Sequence, residues 1–558
     1  MAAENVMPAA AHPAIEVNSR ARFEILGAIM LALFLGALDQ TIVGPVLPKI
    51  TRELKGVDLY TWVVTSYLVT STAAIPLYGK LSDVFGRKPM LMFGIIVFLL
   101  GSALSGLSQT MEQLILFRAF QGIGAGALFP ISLAIVGDLF TPAERGKYQG
   151  LFGSVFGVAF LVGPFLGGFL TDNLSWHWIF YVNIPVGLVS LYLIARLLPM
   201  VRKADAKFSL DIPGLICFLG AIVPILIGLT NAETKDWLDP SVTIWFGVGI
   251  VFLVLFVIAE NFAGDPIIPL RLFRIRTFTV SAIANFLSVF GFSTLIIFLP
   301  LWFQVVQKAT TTESGYLLFP FLFGLIFNSI LAGQIVSRTG RYKWLMVISI
   351  AVMGAGLALF SNLRADTPYW TMAIWMLITG LGVGPTMAIF TLIVQNDAPF
   401  ELLGTATSDL TLIRQIGTTV GLTMAFTFFR NNLTWGLLHD SIIGAGAPAS
   451  QVPTTPPPGL DMANLISPTS DPASAFGFLS QYPPAVQQIF VNGFNQAFSV
   501  AIANAVWVGV GAACLSLLAV LMLHEKELRS HFHAEQHESS GLAQRAARGG
   551  DQPEAAMK

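Results

Sequence analysis

Two stretches of the sequence share one pattern and decide the fold. Residues 79–88 read Gly-Lys-Leu-Ser-Asp-Val-Phe-Gly-Arg-Lys, and residues 333–343 read Gly-Gln-Ile-Val-Ser-Arg-Thr-Gly-Arg-Tyr-Lys. Each copy places two glycines seven residues apart and follows the second glycine with an arginine. Each also lies between two long apolar runs, where a hinge between successive helices is expected. Self-similarity of this kind indicates a duplicated architecture.

Two further pairs of strings repeat in the same order. Gly-Ile-Gly-Ala-Gly at 122–126 matches Gly-Leu-Gly-Val-Gly at 380–384. A weaker match pairs Pro-Ala-Glu-Arg-Gly at 142–146 with Pro-Phe-Glu-Leu-Leu-Gly at 399–404. Three matches in register predict two six-span halves that flank an additional pair of spans at 213–261. Such halves are a common design of alternating-access carriers, whose binding site lies between the halves near the middle of the membrane.

The composition requires a lipid surrounding. Hydrophobic residues make up 54% of the 558 residues and charged residues 11%, whereas soluble domains carry about a quarter charged residues. The mean hydropathy is +0.72. A spanning helix needs about 20 apolar residues, and fourteen stretches are of about this length: 24–47, 60–80, 90–109, 112–137, 147–170, 178–199, 213–230, 241–261, 278–306, 314–337, 344–361, 370–396, 404–429 and 495–523. We expect an all-α membrane protein with fourteen spans.

These stretches divide the chain into five parts. They are a disordered cytoplasmic N-terminus at 1–20, a six-helix bundle at 21–200, two extra transmembrane helices at 201–265, a second six-helix bundle at 266–525 and a disordered cytoplasmic tail at 526–558. Within the second bundle, residues 431–490 form a long outer loop rich in proline and small polar residues. This loop is either a flexible connector or an ordered flap over the outward mouth, and the sequence leaves both open.

Basic residues set the expected orientation, because cytoplasmic loops carry an excess of lysine and arginine. Loops on the side of the N-terminus hold most of them: Lys80, Arg87, Lys88, Arg145, Lys147, Arg202, Lys203, Lys207, Arg271, Arg274, Arg276, Arg338, Arg341 and Lys343. The opposite loops hold isolated Lys235, Lys308 and Arg364, with an exceptional group at Lys49, Arg52 and Lys55. We expect a multi-pass protein of the inner (plasma) membrane with both termini in the cytoplasm.

Several function classes lack support in the sequence. A net charge of −1 argues against nucleic acid, which requires a basic face. Cys217 and Cys514 lie in apolar runs and are interpreted as small core residues rather than a disulfide or a metal site. The chain has no phosphate-binding Gly-x-x-x-x-Gly-Lys-Ser/Thr string and no His/Cys cluster. We therefore expect no enzyme activity, no cofactor and no metal.

Asp39 is the acidic residue that matters most, because it lies well inside the first span. An aspartate at that depth costs about 2.5–3.5 kcal/mol on insertion scales and marks a functional site by default. A carboxyl group that meets each face of the membrane in turn can take up and release protons. Asp39 therefore predicts proton or cation coupling, and the alternative is a structural aspartate bonded to a neighbouring helix.

Arg118 is a fixed positive charge near the start of the fourth span, one turn before Gly122. An arginine does not readily give up its proton, so it serves as a charge or a fork of donors. We expect it to lower the pKa of a nearby acid or to hold a carbonyl-rich partner. The alternative is an interfacial arginine whose side chain reaches the membrane surface.

The repeated string after the second span predicts a conformational hinge, formed by Gly79, Asp83, Gly86, Arg87 and Lys88. Asp83 is placed to face a helix N-terminus, where a negative charge is favoured by about 0.3–1 kcal/mol. This contact would act as a latch between two helices, and its loss is expected to shift the balance between inward and outward states. Simple topogenic charge explains the lysine and the arginine but not the glycines.

The fifth span carries small residues four apart and a proline: Gly157, Gly163, Pro164, Gly167 and Gly168. Small residues let two helix backbones approach closely, and proline adds a kink. This pattern is typical of a rocking or sealing interface. Polar residues within the spans complete the set of candidates for the substrate cavity: Gln40, Thr41, Gln121, Asn183, Asn285, Asn328 and Arg414. Asp409, near the cytoplasmic end of the thirteenth span, is a weaker candidate.

These strings resemble the major facilitator superfamily, specifically its fourteen-span drug/proton antiporter branch. Residues 79–89 are similar to the hinge motif of that family, Arg118 with 122–126 to its second motif, and 157–168 to the motif that marks antiporters. Residues 38–48 resemble its first-span motif, although Gly-Pro-Val at 44–46 departs from it. The resemblance implies that Asp39 takes up and releases the proton and that Arg118 assists.

The expected function is a proton-driven antiporter that exports lipophilic drugs or related small molecules by alternating access. The expected partners are a small-molecule substrate, protons and the lipid bilayer, and we expect a monomer. The alternative on the same fold is an exporter of lipid or glycolipid. An importer would leave the antiporter-like motif at 157–168 unexplained.

Overall fold

The computed structural model describes residues 19–56, 59–200, 211–399, 402–450, 452–456 and 483–528, and within these ranges it contains helices and no strand. The first half holds α1 (Ser19–Glu53), α2 (Tyr60–Phe85), α3 (Arg87–Gly106), α4 (Met111–Leu139), α5 (Pro142–Asn173), α6 (Trp178–Tyr181) and α7 (Asn183–Leu197). The pair α8 (Ile212–Thr234) and α9 (Pro240–Phe262) follows. The second half holds α10 (Arg276–Val305), α11 (Thr311–Leu317), α12 (Phe319–Thr339), α13 (Lys343–Leu359), α14 (Tyr369–Asp397), α15 (Leu403–Asn432), α16 (Trp435–Gly444) and α17 (Pro484–Leu521).

Twelve helices of the described ranges are long and apolar enough to cross a membrane, counting α6 and α7 as one. The all-α membrane fold is thereby confirmed, whereas the count of fourteen spans stays a prediction. The two remaining long helices are α2, with 26 residues, and α15, with 30 residues. Both carry charged and hydroxyl side chains along their length, and they pack against each other at the centre of the molecule.

Glycine ends a helix at the same place in both halves. Gly86 lies between α2 and α3 with a φ of 96°, and Gly340 follows α12 with a φ of 67°. Side chains with a Cβ rarely adopt these angles, so the second glycine of each repeated string is required by the turn. We call the side of the molecule that holds Gly86 the Gly86 side, and the opposite side, where α5 turns into α6, the Trp176 side.

Each half has its own apolar core. Residues of α1 to α7 form two buried clusters, and residues of α10 to α17 form one larger cluster. The pair α8–α9 packs outside these cores, with Phe218 and Phe256 against Val69 of α2 and Leu412 of α15. The additional pair therefore contacts both halves rather than forming a separate domain.

The repeat extends to the packing of its glycines. Gly122 and Gly126 of α4 lie against the backbone of α2, and Gly380 and Gly384 of α14 lie against the backbone of α12. Since a Cβ on any of these glycines would collide with its neighbour, the two glycine strings do the same work in the two halves. The predicted internal duplication is confirmed at this level.

The two halves meet along two helix crossings on the Gly86 side, which we call the seam. In one crossing, Gly79 of α2 lies against Ser408 of α15. In the other, a Cβ on Gly146 of α5 would lie 2.9 Å from the backbone oxygen of Gly333 in α12. Gly79 and Gly333 are the first glycines of the two repeated strings, so each repeated string supplies one residue to a crossing between the halves.

Three predicted boundaries need correction. Helix α1 begins at Ser19, so the last two residues of the predicted disordered segment 1–20 are helical. The predicted outer loop 431–490 contains α16 and the first turns of α17. Lys526 pairs with Asp397 at 2.6 Å, so the predicted disordered tail 526–558 starts with a bound residue. Residues 1–18, 457–482 and 529–558 lie outside the described residues, and the choice between a connector and a flap concerns mainly the second of these ranges.

Candidate functional site

The Asp39 carboxylate is the centre of a buried polar cluster in the first half. The side chain is fully buried, and three side chains from two other helices donate hydrogen bonds to it. Arg118 Nη1 donates to Oδ2 at 2.7 Å, while Gln121 Nε2 and Asn183 Nδ2 donate to Oδ1, each at 2.9 Å. The cluster therefore contains a desolvated ion pair with two amide donors beside it.

Helix geometry brings these residues together. Arg118 and Gln121 are three residues apart on α4 and so lie on one face, and Arg118 Nη1 also donates to Gln121 Oε1 at 2.8 Å. Asn183 is the first residue of α7, where the chain turns back from the Trp176 side. Its amide nitrogen also donates to the hydroxyl of Ser102 at 3.1 Å, which anchors α7 to α3.

Aromatic rings cover the guanidinium of Arg118. Its Cζ lies 4.2 Å from the centroid of the Tyr67 ring and 5.8 Å from that of Phe180. Such cation–π contacts favour a cation over a ring face. A buried ion pair loses hydration energy from both partners, so it is weak evidence for stability, but removing one partner alone costs about 3–5 kcal/mol.

The cluster keeps unused hydrogen-bonding capacity. Among the described residues, Arg118 Nε, Asn183 Oδ1 and Tyr67 Oη are buried and have no hydrogen-bond partner. Buried polar atoms are normally satisfied, and unsatisfied ones mark places where a water molecule, a proton or a changed conformation completes the bonding. The arrangement can therefore respond when the charge on Asp39 changes.

Asp39 lies next to the accessible face of α1. Gln40, the following residue, is exposed, and so is Gly44 one turn later. Thr41 is half-buried, and its hydroxyl donates to the backbone oxygen of Ala159 in α5 at 2.9 Å. Of the two first-span candidates for the cavity, Gln40 is thus exposed, whereas Thr41 joins two helices.

The predicted hinge lies on the seam. Asp83 accepts hydrogen bonds from the backbone N–H of Thr405 at 2.9 Å and from its hydroxyl at 2.8 Å, in the first turn of α15. The expected position of Asp83 at a helix N-terminus is therefore what the structure has, and the helix belongs to the other half. Arg87 pairs with Asp83 at 2.6 Å and with Asp138 of α4 at 2.9 Å. Lys88 donates to the Ala195 oxygen of α7 at 2.7 Å, within the first half.

The fifth helix changes partners along its length. Toward the Gly86 side it lies against α12, with Gly157 against Ile326. Toward the Trp176 side it lies against α1, with Gly163 against Thr41 and Gly167 against the Ile42 oxygen. Gly168 and Pro164 lie beside α11, against Thr312 and Gly315. These five residues thus place α5 between both halves, and the rocking or sealing role of this interface stays a prediction.

A second polar group holds the seam, and sequence reasoning missed most of it. Arg145 is buried in α5, where Nε donates to the Phe140 oxygen at 2.8 Å and Nη1 to the Gln395 oxygen of α14 at 3.3 Å. Gln149 Nε2 donates to Gln395 Oε1 at 2.7 Å. The sequence predicted for Arg145 only a basic residue that sets orientation, and nothing local to Gln149 or Gln395 distinguishes them from other amides in a span.

The remaining cavity candidates separate into two kinds. Asn285 is buried and donates to the Leu410 oxygen at 3.4 Å, and Asn328 donates to the Leu381 oxygen, so both link helices. Arg414 is half-buried, and its guanidinium lies 4.1 Å from the ring centroid of Phe129 in the other half. No carboxylate pairs with Arg414 among the described residues, which leaves its donors for a ligand.

An apolar groove lies on the outside of α5 and α12. Its volume is about 230 Å³, and its lining includes Gly157, Leu161, Phe323 and Ile326. Within the part of the chain that the structure describes, no group of three or more His, Cys, Asp or Glu side chains is placed to hold a metal ion.

The chain is similar in sequence to a known family and to curated proteins. The family model described as Major Facilitator Superfamily matches residues 29–422. The chain is 38% identical to Multidrug resistance protein 3 of Bacillus subtilis (strain 168), over 77% of the chain and 84% of that protein. It is 34% identical to Multidrug transporter protein MdtP of the same organism, over 90% of the chain and 94% of that protein.

Solved structures share the fold at low sequence identity. The human organic anion transporter MFSD10 (TETRAN) matches with a TM-score of 0.58 and 15% identity, covering 89% of this chain and 99% of that one. The proton:xylose symporter XylE matches with a TM-score of 0.58 and 14% identity, covering 92% and 98%. At these identities the likeness is one of fold.

Proposed function

The chain belongs to the Major Facilitator Superfamily, and from that membership we propose that it is a proton-driven exporter of drug-like, lipophilic molecules. It is a multi-pass membrane transporter rather than an enzyme. The observation that carries the proposal is the ion pair between Asp39 and Arg118, which is fully enclosed by protein and lies one residue from the accessible Gln40. Export is supported by the relatives that are named multidrug transporters.

The ion pair suggests how a proton drives the cycle. Protonation of Asp39 cancels its charge and weakens the attraction to Arg118, whose donors then seek other partners. The buried, aromatic surroundings keep bulk water from screening this change. Because Asn183 and Gln121 link the same carboxylate to α7 and α4, a change at Asp39 alters the packing of three helices together.

The driving force is sufficient for drug efflux. One proton that moves down about 100 mV supplies about 2.3 kcal/mol, and one pH unit adds about 1.4 kcal/mol. Their sum sustains roughly a 500-fold gradient of a neutral substrate by one-for-one exchange.

Arg414 is the proposed contact for the substrate. Its guanidinium reaches from α15 across the centre to Phe129 of α4. Arg414 lies about eleven residues, or roughly 16 Å of helix, from the start of α15. That depth is near the middle of a hydrocarbon core about 30 Å thick. A guanidinium over an aromatic ring offers both a charge and a flat apolar surface, which suits an amphipathic molecule with a carbonyl-rich or acidic end.

The arrangement in the membrane completes the proposal. We propose that α2 and α15 also cross the bilayer, shielded by their neighbours, so that fourteen spans place both termini on one side. The basic residues of the Gly86 side support a cytoplasmic position for that side, and we propose the plasma membrane as its location. The transporter acts as a monomer in this scheme, since each half supplies part of one central site.

Transport in proteoliposomes tests the proposal. Under an imposed pH gradient, wild-type protein is expected to concentrate a lipophilic dye, whereas Asp39→Asn is expected to reach only the level seen without a gradient while binding the dye within a few-fold. Asp397→Asn makes the same chemical change at an acid paired with Lys526 and is expected to behave as wild type. Gradient-driven accumulation by Asp39→Asn equal to that of wild type refutes the assignment.

The apolar groove between α5 and α12 favours a second candidate, the export of a lipid or glycolipid. Phe319, Phe323 and Phe327 line this groove, and each is about half exposed. An acyl chain fits such a surface. The test is release of a fluorescent lipid from vesicles: gradient-dependent loss of the lipid that Phe323→Ser abolishes, with dye transport intact, would favour the lipid.

A further inference from the structure

Asp409 has no role in the proposed exchange, yet it is the most unusual charged residue of the seam. It lies in α15, is 1% exposed, and neither of its carboxylate oxygens has a hydrogen-bond partner. Four residues earlier on the same helix, Thr405 is held by Asp83. The adjacent Ser408 lies against Gly79. Asp409 is therefore enclosed by the closed crossing of α2 with α15.

The nearby cations are all engaged elsewhere. Lys80 of α2 binds the Pro266 oxygen at 2.8 Å and the Asp265 carboxylate at 3.1 Å. Arg87 is shared between Asp83 and Asp138. Arg145 of α5 donates to backbone oxygens. None of these groups donates to Asp409.

The other titratable groups around this end of α15 are acidic. Glu260 of α9 lies one turn after Phe256, which packs with Leu412 of α15, and Asp83 of α2 binds Thr405, one turn before Asp409. Glu260 is buried as well, and its Oε1 accepts the backbone N–H groups of Ile267 and Ile268 at 3.1 and 3.2 Å. The charged groups on the elements around Asp409 are Lys80 and Asp83 on α2, Arg87 at the start of α3, Asp138 on α4, Arg145 on α5, Asp211 before α8, Glu260 on α9 and Asp265 in the loop after it.

An ionised carboxylate is not stable in this position. A buried charge requires a counter-charge or several donors, and a group without them becomes neutral instead. Repulsion by neighbouring carboxylates acts in the same direction. A protonated Asp409 fits the closed seam, whereas an ionised one does not.

We propose that Asp409 is a protonation site that senses pH on the Gly86 side: it holds a proton while the seam is closed and releases it to water when α2 and α15 separate. On reopening, the O–H bond of the carboxylic acid breaks, the proton passes to water on that side, and the carboxylate becomes hydrated. On closing, one proton is taken back from the same side. No proton crosses the membrane at Asp409, so the exchange ratio set at Asp39 is unchanged.

The direction of the effect follows from the closed form binding more protons than the open form. Acid on the Gly86 side favours closure, and alkali favours opening. This inference rests on the proposed function only in that opening and closing of the seam belong to the transport cycle. The signal itself is a conformational equilibrium, so it can be measured without substrate or gradient.

Spin-label distances in the full-length protein test the proposal. Labels at Arg196→Cys and Arg341→Cys, in a Cys217→Ser, Cys514→Ser background, lie on exposed positions of different halves on the Gly86 side. Raising the pH is expected to move wild-type protein from a short to a long distance. Asp409→Asn mimics the protonated form and is expected to reduce the long-distance fraction at alkaline pH at least five-fold.

Two controls separate this inference from the others. Glu233→Gln removes another carboxyl group, which faces Thr423 farther along α15, and should keep the pH response. Transport by Asp39→Asn is measured separately; if it equals that of wild type, the exchange proposal fails while the distance result stands. Equal pH responses of wild type and Asp409→Asn, or loss of the response in Glu233→Gln, would overturn the role of Asp409.

Infrared spectroscopy gives an independent readout if Asp409→Asn does not fold. In closed wild-type protein at neutral pH, a carbonyl stretching band of a protonated carboxylic acid is expected. The band should be absent from Asp409→Ser, and it should disappear from wild type at the pH at which the labels separate. A closed protein without this band refutes the proposal.

Discussion

Asp83 and Thr405 join the two halves of the protein through one carboxylate oxygen. The Oδ2 atom of Asp83 accepts both the backbone N–H and the hydroxyl of Thr405, while Oδ1 pairs with Arg87. Asp83 ends α2 of the first half, and Thr405 begins α15 of the second. The contact therefore exists only while the Gly86 side is closed at this crossing.

Replacing Asp83 with asparagine is expected to slow transport several-fold and to leave substrate affinity within a few-fold. Hydrogen bonds to a charged group contribute about 1.5–3 kcal/mol, and the closed state alone would lose them. Initial rates in proteoliposomes and equilibrium dye binding measure the two quantities. Asp138→Asn removes the other partner of Arg87 without touching Thr405, so it should have a smaller effect. A large loss of affinity in Asp83→Asn would contradict a latch.

Adding one methyl group at Gly146 is expected to hold the seam open. A Cβ there would lie 2.9 Å from the backbone oxygen of Gly333, which is closer than atoms pack, and a backbone cannot move aside as a side chain does. In Gly146→Ala, the distance between labels at positions 196 and 341 should lengthen. Gly27→Ala adds the same group to α1 where no atom lies within 4 Å and should change nothing. Unchanged distances in Gly146→Ala would show that the crossing is not tight.

Breaking the buried pair from one side should cost more than removing it entirely. Arg118→Ala leaves the Asp39 charge unpaired in a dry cluster and is expected to lower stability by about 3–5 kcal/mol. Asp39→Asn combined with Arg118→Ala should lose less than the sum of the single changes, by at least 1 kcal/mol. Thermal unfolding in detergent measures the cycle. Additive losses would mean that the two groups do not interact.

Changing the charge at position 414 is expected to change which substrates are carried. Arg414→Gln should raise KM about 10-fold or more for acidic or carbonyl-rich compounds, since a charged hydrogen bond contributes about 1.5–3 kcal/mol, and should spare cationic ones. Arg414→Lys should recover part of the loss. Arg430→Gln, on the same helix but paired with the exposed Asp236, is the matched control. An equal loss for substrates of every charge would reject Arg414 as the anchor.

Local patterns predicted the parts of the fold that depend on local chemistry. Glycine spacing predicted the turns at Gly86 and Gly340, because a positive φ requires the backbone freedom of glycine. The contacts of Gly79 with Ser408 and of Gly333 with Gly146 are visible only in the folded protein. The depth of Asp39 within an apolar run predicted a functional role, because a carboxylate at that depth is costly to insert into the membrane. The charge of Asp83 pointed to a helix N-terminus in the same way.

Partners that meet across the fold left no such trace. Asn183 and Gln121 were predicted only as cavity residues, and their shared acceptor is visible once α1, α4 and α7 are packed together. Tyr67, Thr405 and Gln395 were missed because an isolated tyrosine, threonine or glutamine in a helix has many other uses. The central helices α2 and α15 carry many polar side chains because these side chains meet protein on most sides.

The pair α8–α9 is fastened diagonally. Near the Gly86 side, Lys80 of α2 grips the Asp265–Pro266 segment that follows α9, whereas toward the Trp176 side Trp237 and Asp236 are bound to Thr427 and Arg430 of α15. The helix pair is therefore attached to the first half near the Gly86 side and to the second half near the Trp176 side. These two attachments limit how far the halves can move apart. In the proposed transport cycle, the amplitude of the motion between the halves is thus set by two extra helices that contribute no side chain to the Asp39 cluster.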